Sequence, residues 1–216
     1  MTTENVKFNK REQTKINNRS AILQAARSVF FSQGYEGTTV RDIVRQTNLA
    51  PGTFYNYFQD KESIFRAIVD DYLLRLSTAV QSPRSKAFSL NDFIGPAFEV
   101  FFTNIAKDPE MFILTGRSEA ILQSMYDSSV MEMVIKELLG DIYSAMDQDI
   151  LPRIDAEYLA SAFIGIGYEL GKQMIKRKPM NPKATAKFAA GLFIGGIGGI
   201  PSAQDMAYEA ELSYQH

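Results

Sequence analysis

The sequence predicts an all-α fold in two parts. Three observations carry the prediction. Apolar residues recur at helical spacing along most of the chain, few runs alternate with period two, and Gly, Pro and Asp/Asn punctuate segments of helical length. With 216 residues, of which 45% are hydrophobic and 22% charged, the chain lies in the ordinary globular range, with room for one or two domains.

The elements follow in order. Ile22, Ala25, Ala26, Val29 and Phe30 share one face of a first helix, which Gly34 stops. Thr38 or Thr39 caps a second, shorter helix that turns Val40, Ile43, Val44 and Thr47 inward. Asn48-Leu49-Ala50 makes a tight turn. Pro51 then opens a third helix, Pro51 to Tyr57, at the position where a missing N–H costs nothing. Asp60 caps a fourth, in which Ile64, Ile68, Tyr72 and Leu76 repeat through to about Ala79. The stretch from Gln81 to Ser89, with Pro83, reads as a polar break. Beyond it lie helices near Leu90–Ala106, Pro109–Gly116, Arg117–Met146, Asp155–Lys178 and Pro182 to about Gly198, set off by Asp108-Pro109, Leu151-Pro152 and Asn181-Pro182.

Composition removes much chemistry. There is no Cys, no Trp and a single His, His216, at the last position. Cysteine nucleophiles, disulfides and Cys/His zinc sites are excluded, and a Ser-His-Asp relay would have to run through the terminal residue. No catalytic set, metal site or cofactor motif is read. Asp147 with Asp149, or Glu132 with Glu137, could be proposed as carboxylate pairs, but such spacing on helices marks a solvated face.

The net charge of −2 is unevenly divided. Residues 1–66 carry ten Lys/Arg against six Asp/Glu, a net +4, and the remainder 13 against 19, a net −6. The asymmetry suggests one part that faces a polyanion and one that does not. The N-terminus MTTENVKFNKREQTK lacks the apolar core of a signal peptide. The apolar run Phe188–Ile200 is shorter than the roughly 20 residues of a spanning helix. A cytoplasmic location with no membrane partner is therefore expected.

Two short helices joined by a tight turn match what reading of duplex DNA requires. The major groove admits one α-helix, whose N-terminal residues meet base edges. Gly52 and Thr53 are small enough for close approach, Phe54 and Phe58 anchor the inner face, and Tyr55, Asn56 and Tyr57 present hydroxyl and amide groups. The alternative is a capped aromatic helix with no ligand.

The flanking residues decide between them. The stretch Gly34-Tyr35-Glu36-Gly37-Thr38-Thr39-Val40-Arg41-Asp42-Ile43, continued by Pro51-Gly52-Thr53-Phe54-Tyr55-Asn56-Tyr57-Phe58-Gln59-Asp60-Lys61, closely resembles the DNA-binding domain of the tetracycline-repressor (TetR) family. The resemblance covers about the first third of the chain. It implies a three-helix helix-turn-helix DNA-binding domain with a basic N-terminal arm over residues 1–63, and a helical effector-binding and dimerisation domain over 64–216. It further implies that Thr38 or Thr39, Tyr55, Tyr57 and Lys61 grip phosphates, and that Arg41 of the second helix, with Gly52, Thr53 and Asn56 in the helix opened by Pro51, can reach bases. Lys61 adds a local reason: at a helix start its charge opposes the dipole unless an anion lies nearby. Lys7, Lys10, Arg11, Lys15 and Arg19 either track the DNA backbone or form a solvated arm.

One such helix reads too few base pairs, so a two-fold homodimer on a palindromic operator is expected. Gly167 with Gly171, and Gly191 with Gly195, offer small faces on which the last two helices could pair between subunits; tight packing within one subunit is the alternative. The middle helices are rich in flexible and aromatic residues. Phe98, Phe101, Phe102, Met111, Met125, Met133, Tyr143 and Tyr168 are the candidates for lining a pocket for a small hydrophobic effector, against the plainer reading of core. The expected function is a DNA-binding regulator, a repressor released by an apolar ligand. A helical interaction protein and an enzyme are the competing classes.

Overall fold

The computed structural model describes residues 9–84, 86–115 and 129–197, and every regular element among them is helical. They run α1 (Lys10–Gly37), α2 (Val40–Arg45), α3 (Pro51–Phe54), α4 (Lys61–Arg84), α5 (Leu90–Lys107), α6 (Pro109–Thr115), α7 (Ser129–Asp147), α8 (Ala156–Lys176) and α9 (Pro182–Ile197). Two compact units divide within α4, between Asp71 and Tyr72. Of the described residues, one unit holds 9–71 with 114–115, and the other holds 72–84, 86–113 and 129–197.

In the first unit, α1 begins earlier than apolar periodicity predicts. Asn9 and Glu12 form a capping box: the Glu12 amide donates to Asn9 Oδ1 at 2.9 Å and the Asn9 amide to Glu12 Oε2 at 3.0 Å. Lys10, Arg11, Lys15 and Arg19 thus stand on an exposed helical extension rather than a loose arm, with the Arg19 guanidinium 5.4 Å above the Phe58 ring. The extension is polar nearly all round, so only its cap betrays it in the sequence. Gly34 breaks the helix as expected, at φ 76°, in the left-handed region where a side chain is disfavoured. Ile22, Ala26 and Phe30 of α1, Ile43 of α2, Phe54 of α3, Phe58, and Ile64 and Phe65 of α4 are all buried. The Phe30, Tyr35 and Phe65 rings meet at 5.0–5.7 Å.

α4 also outruns its expected end, because Pro83 falls in its last turn and the helix continues into the expected break as far as Arg84. Asp60 caps it as expected, accepting the Ser63 amide at 2.7 Å.

The second unit is built around α5, which α9 and α8 both cover. Ser89 caps α5, Asp155 caps α8 by accepting the Tyr158 amide at 2.9 Å, and Asn181 caps α9 by accepting the Ala184 amide at 3.0 Å. The expected helix Arg117–Met146 is described only from Ser129, and the residues from 198 onward lie outside the described set. No helix of the described residues is long and apolar enough to cross a membrane.

Candidate nucleic-acid interface

Local sequence sets the shape of the α2–α3 pair. Thr39 and Asp42 close a reciprocal capping box: the Thr39 amide donates to Asp42 Oδ2 at 3.0 Å and the Asp42 amide to Thr39 Oγ1 at 3.3 Å. The Thr39 hydroxyl also donates to that carboxylate, which holds the Asp42 carboxyl below its ordinary pKa. α2 ends where the Gln46 and Thr47 amides donate to the Ile43 and Val44 carbonyls. The Leu49 amide then finds Thr47 Oγ1, so the turn is stitched by its own residues. Pro51 starts α3 as read. The regular helix covers only Pro51–Phe54, and tighter turns carry Tyr55 to Tyr57, closed by the Tyr57 and Phe58 amides on the Phe54 carbonyl.

Over the apolar base of Ile43, Phe54 and Phe58 stands a polar outer surface. Arg41, Pro51, Gly52, Tyr55 and Asn56 are exposed, Tyr55 at 61%, while Thr53 and Tyr57 are half-buried. A Cβ added at Gly52 would meet nothing within 4 Å, so its smallness serves no contact inside the chain. Arg45 and Gln46, which sequence reasoning passed over, share this exposure at the C-terminal end of α2.

Two of the residues expected to grip phosphate also make contacts within the chain. Thr38 is 2% exposed and its hydroxyl donates to the Gly34 carbonyl at 2.7 Å, so it braces the turn behind α2 and is no surface ligand. Lys61 is half-buried, with Nζ 2.9 Å from the Tyr35 carbonyl oxygen and 4.5 Å from the Tyr35 ring centroid.

In the second unit the expected pocket residues part company. Phe98, Phe102 and Met111 are buried, and Phe101 and Tyr168 are half-buried. Met133 and Tyr143 are exposed and belong to no interior lining, and Met125 lies outside the described residues. Two rings that the sequence reading did not single out, Phe163 of α8 and Phe193 of α9, stack at 4.3 Å and pack on Phe98 at 5.7 and 5.6 Å. Their signal was present as apolar positions in the long last helices.

The glycines also divide. A Cβ at Gly167 would lie 3.2 Å from Phe101, and one at Gly171 would lie 2.8 Å from Phe112 and 3.0 Å from Ile105. Both therefore admit side chains of the same chain, as the alternative reading held, and neither offers a face to a second subunit. Gly191 and Gly195 are exposed, and a Cβ added at either would meet nothing within 4 Å; exposed Phe188 (60%) and Leu192 (50%) lie beside them on α9.

Comparison with known proteins follows the same division. Residues 22–68 match the family described as bacterial regulatory proteins, tetR family. The chain is 37% identical over 67 residues to the HTH-type transcriptional repressor ComR of Escherichia coli (strain K12), covering 31% of this chain and 32% of that protein. It is 37% identical over 65 residues to the HTH-type transcriptional repressor AcnR of Corynebacterium efficiens, covering 30% and 35%. The match thus spans about a third of the length of these relatives. Over most of its length the chain resembles the fatty acid degradation regulator FadR of Bacillus halodurans, with TM-score 0.72 at 20% identity, covering 83% of this chain and 95% of that one. FadR of Bacillus subtilis, solved in complex with stearoyl-CoA, gives TM-score 0.71 at 19% identity, covering 82% and 98%. Residues 22–68 therefore match a tetR-family domain, and most of the chain shares the all-helical fold of these solved structures.

Proposed function

We propose that the chain is a repressor that binds a palindromic DNA operator as a homodimer and leaves it when a small apolar ligand binds. One observation carries the reading: Arg41 of the capped α2, Gly52 of α3 and Tyr55 and Asn56 in the turn after it are exposed, while the buried side of this short helix pair is apolar. In this reading Arg41 pairs with a guanine edge, and Pro51, Gly52, Thr53 and Asn56 face bases. Tyr55, Tyr57 and the Thr39 end of α2 face phosphates. The dimer forms through Phe188, Leu192, Gly191 and Gly195 of α9, an apolar face that a monomer leaves in water. The ligand enters among Phe98, Phe101, Phe102 and Tyr168 by taking over contacts these rings now make with their neighbours, and α4, which runs through both units, carries the displacement. Long-chain acyl-CoA is the first effector to try, because a protein of the same fold was solved with one. The site of action is the cytoplasm.

The test is selection of duplexes from a random library by the purified chain, followed by titration at several salt concentrations. A two-fold sequence with half-sites about 34 Å apart is expected. Arg41→Ala should relax the preference at one base pair per half-site by about 1–3 kcal/mol. Enrichment of no sequence over random DNA would end this reading.

A further inference from the structure

We infer that Ser77 and Arg84 of α4, held by Glu137 and Asp141 of α7, are positioning residues that set which half-site spacing the dimer accepts. This rests on the proposed homodimer on a two-fold operator, and it adds to that reading four residues remote in sequence from α2 and α3. α4 is one continuous helix from Lys61 to Arg84, whose residues up to Asp71 group with the first unit and whose residues from Tyr72 group with the second. Whatever fixes the second part of α4 within its own unit therefore fixes the direction in which the helix leaves that unit.

Polar contacts are well placed to do the fixing. Tyr72 and Leu73 are buried, but from Leu74 to Arg84 no apolar side chain is: Leu76, Ala79 and Val80 are half-buried, and the one fully buried residue is Ser77. Its hydroxyl donates to Glu137 Oε2 at 2.9 Å. Seven residues on, Arg84 Nε donates to Asp141 Oδ2 at 2.8 Å, with both side chains largely out of solvent. Glu137 and Asp141 stand four apart on one face of α7, beside the face that Leu138, Ile142 and Ala145 bury in the core.

Apolar contact is non-directional, so a helix held by it alone can slide or pivot at little cost. A hydrogen bond weakens steeply off its geometry, and a buried charge that loses its partner is strongly unfavourable. One such contact leaves a helix free to turn about it, whereas two contacts along its length define a direction. Each base pair added between half-sites moves them about 3.4 Å apart and turns one against the other by about 35°. A dimer whose α4 helices can pivot follows that change, and one whose α4 helices are pinned at two points must break a contact to do so. Base preference then belongs to α2 and α3, and spacing preference to these four side chains.

The experiment compares the unaltered chain with a variant carrying Ser77→Ala, Arg84→Met and Asp141→Leu, which removes both contacts and leaves neither charge of the Arg84 pair buried alone. Affinity is measured on the duplex that the unaltered chain selects, on duplexes with the same half-sites and one base pair more or fewer between them, and on one with a base changed inside a half-site. The variant's preference for the selected spacing over its neighbours should fall about tenfold, the scale of one charge-assisted hydrogen bond, while its preference for the selected base stays unchanged. An unaltered spacing preference in a folded, dimeric variant overturns the inference. Equal loss of affinity at every spacing overturns it as well, since the contacts would then serve stability alone. If the triple variant fails to fold, Ser77→Ala by itself decides by the same readings. An unaltered chain that selects a lone half-site with no preferred spacing overturns the inference and leaves DNA binding standing. If it selects no duplex, the DNA-binding reading falls and takes this inference with it.

Discussion

Arg84 Nε donates to Asp141 Oδ2 at 2.8 Å, joining the last turn of α4 to α7 where the two side chains are only 9% and 17% exposed. One turn earlier on α7, Glu137 accepts the Ser77 hydroxyl at 2.9 Å. α4 is therefore held to α7 at two polar points, both within the second unit.

Removing one partner of a buried pair leaves the other charged and unsolvated, which costs more than the pair contributes. Arg84→Met should lower the unfolding free energy by about 3 kcal/mol, and Arg84→Met with Asp141→Leu should recover most of that loss. Denaturant unfolding of the two single variants and the double gives the coupling directly. A purely additive cycle would show that the pair does not act as a unit.

The glycines of α8 and α9 should respond in opposite directions. Gly171→Ala places a methyl 2.8 Å from the Phe112 ring, so it should destabilise by about 1–3 kcal/mol. Gly191→Ala meets nothing within 4 Å among the described residues and should stabilise the isolated subunit by roughly 0.5–1 kcal/mol through helix propensity. Melting temperatures at low protein concentration compare the two.

The α9 face provides the test of assembly. Phe188→Asp with Leu192→Asp puts charge at two exposed positions and should leave helicity intact, because neither side chain belongs to the core. Sedimentation velocity should show the unaltered chain as a dimer and the variant as a monomer. A dimer that survives both changes places the interface elsewhere.

Acid should loosen the first unit at its caps. The Thr39 hydroxyl and amide hold the Asp42 carboxyl below its ordinary pKa, and the Ser63 amide, with its hydroxyl, does the same for Asp60. A carboxyl whose folded pKa is depressed contributes stability that is complete above its unfolded value, about 3.9, and is lost as pH falls through the folded one. The protection factors of the Asp42 and Ser63 amides, with intrinsic exchange rates divided out, should therefore fall below about pH 4. Asp60→Asn, which keeps a capping oxygen and cannot titrate, should remove that dependence at Ser63.

What could be read from residue order alone was what depends on neighbours three or four positions apart. The stop at Gly34, the cap at Thr39, Pro51 at the head of α3, Asp60 at the head of α4 and the end of α5 before Asp108-Pro109 all belong to that class, because capping and φ restriction act within one turn. The box of Asn9 and Glu12 belongs to it too, and was hidden only by the lack of an apolar stripe behind it. Gly167 with Gly171 and Gly191 with Gly195 have the same spacing and read alike. It is Phe101, Ile105 and Phe112, from α5 and α6, that place the first pair inside, and among the described residues no comparable side chain comes within reach of the second. For Lys61 the sequence shows only a cation at a helix start, and the fold adds a carbonyl from 26 positions away to its ammonium. Arg84 lay in an expected polar break until Asp141, 57 positions on, came within 2.8 Å of it. Tertiary structure decides such cases because the energy of a charge or a bare glycine depends on what packs against it, and those partners lie far away along the chain.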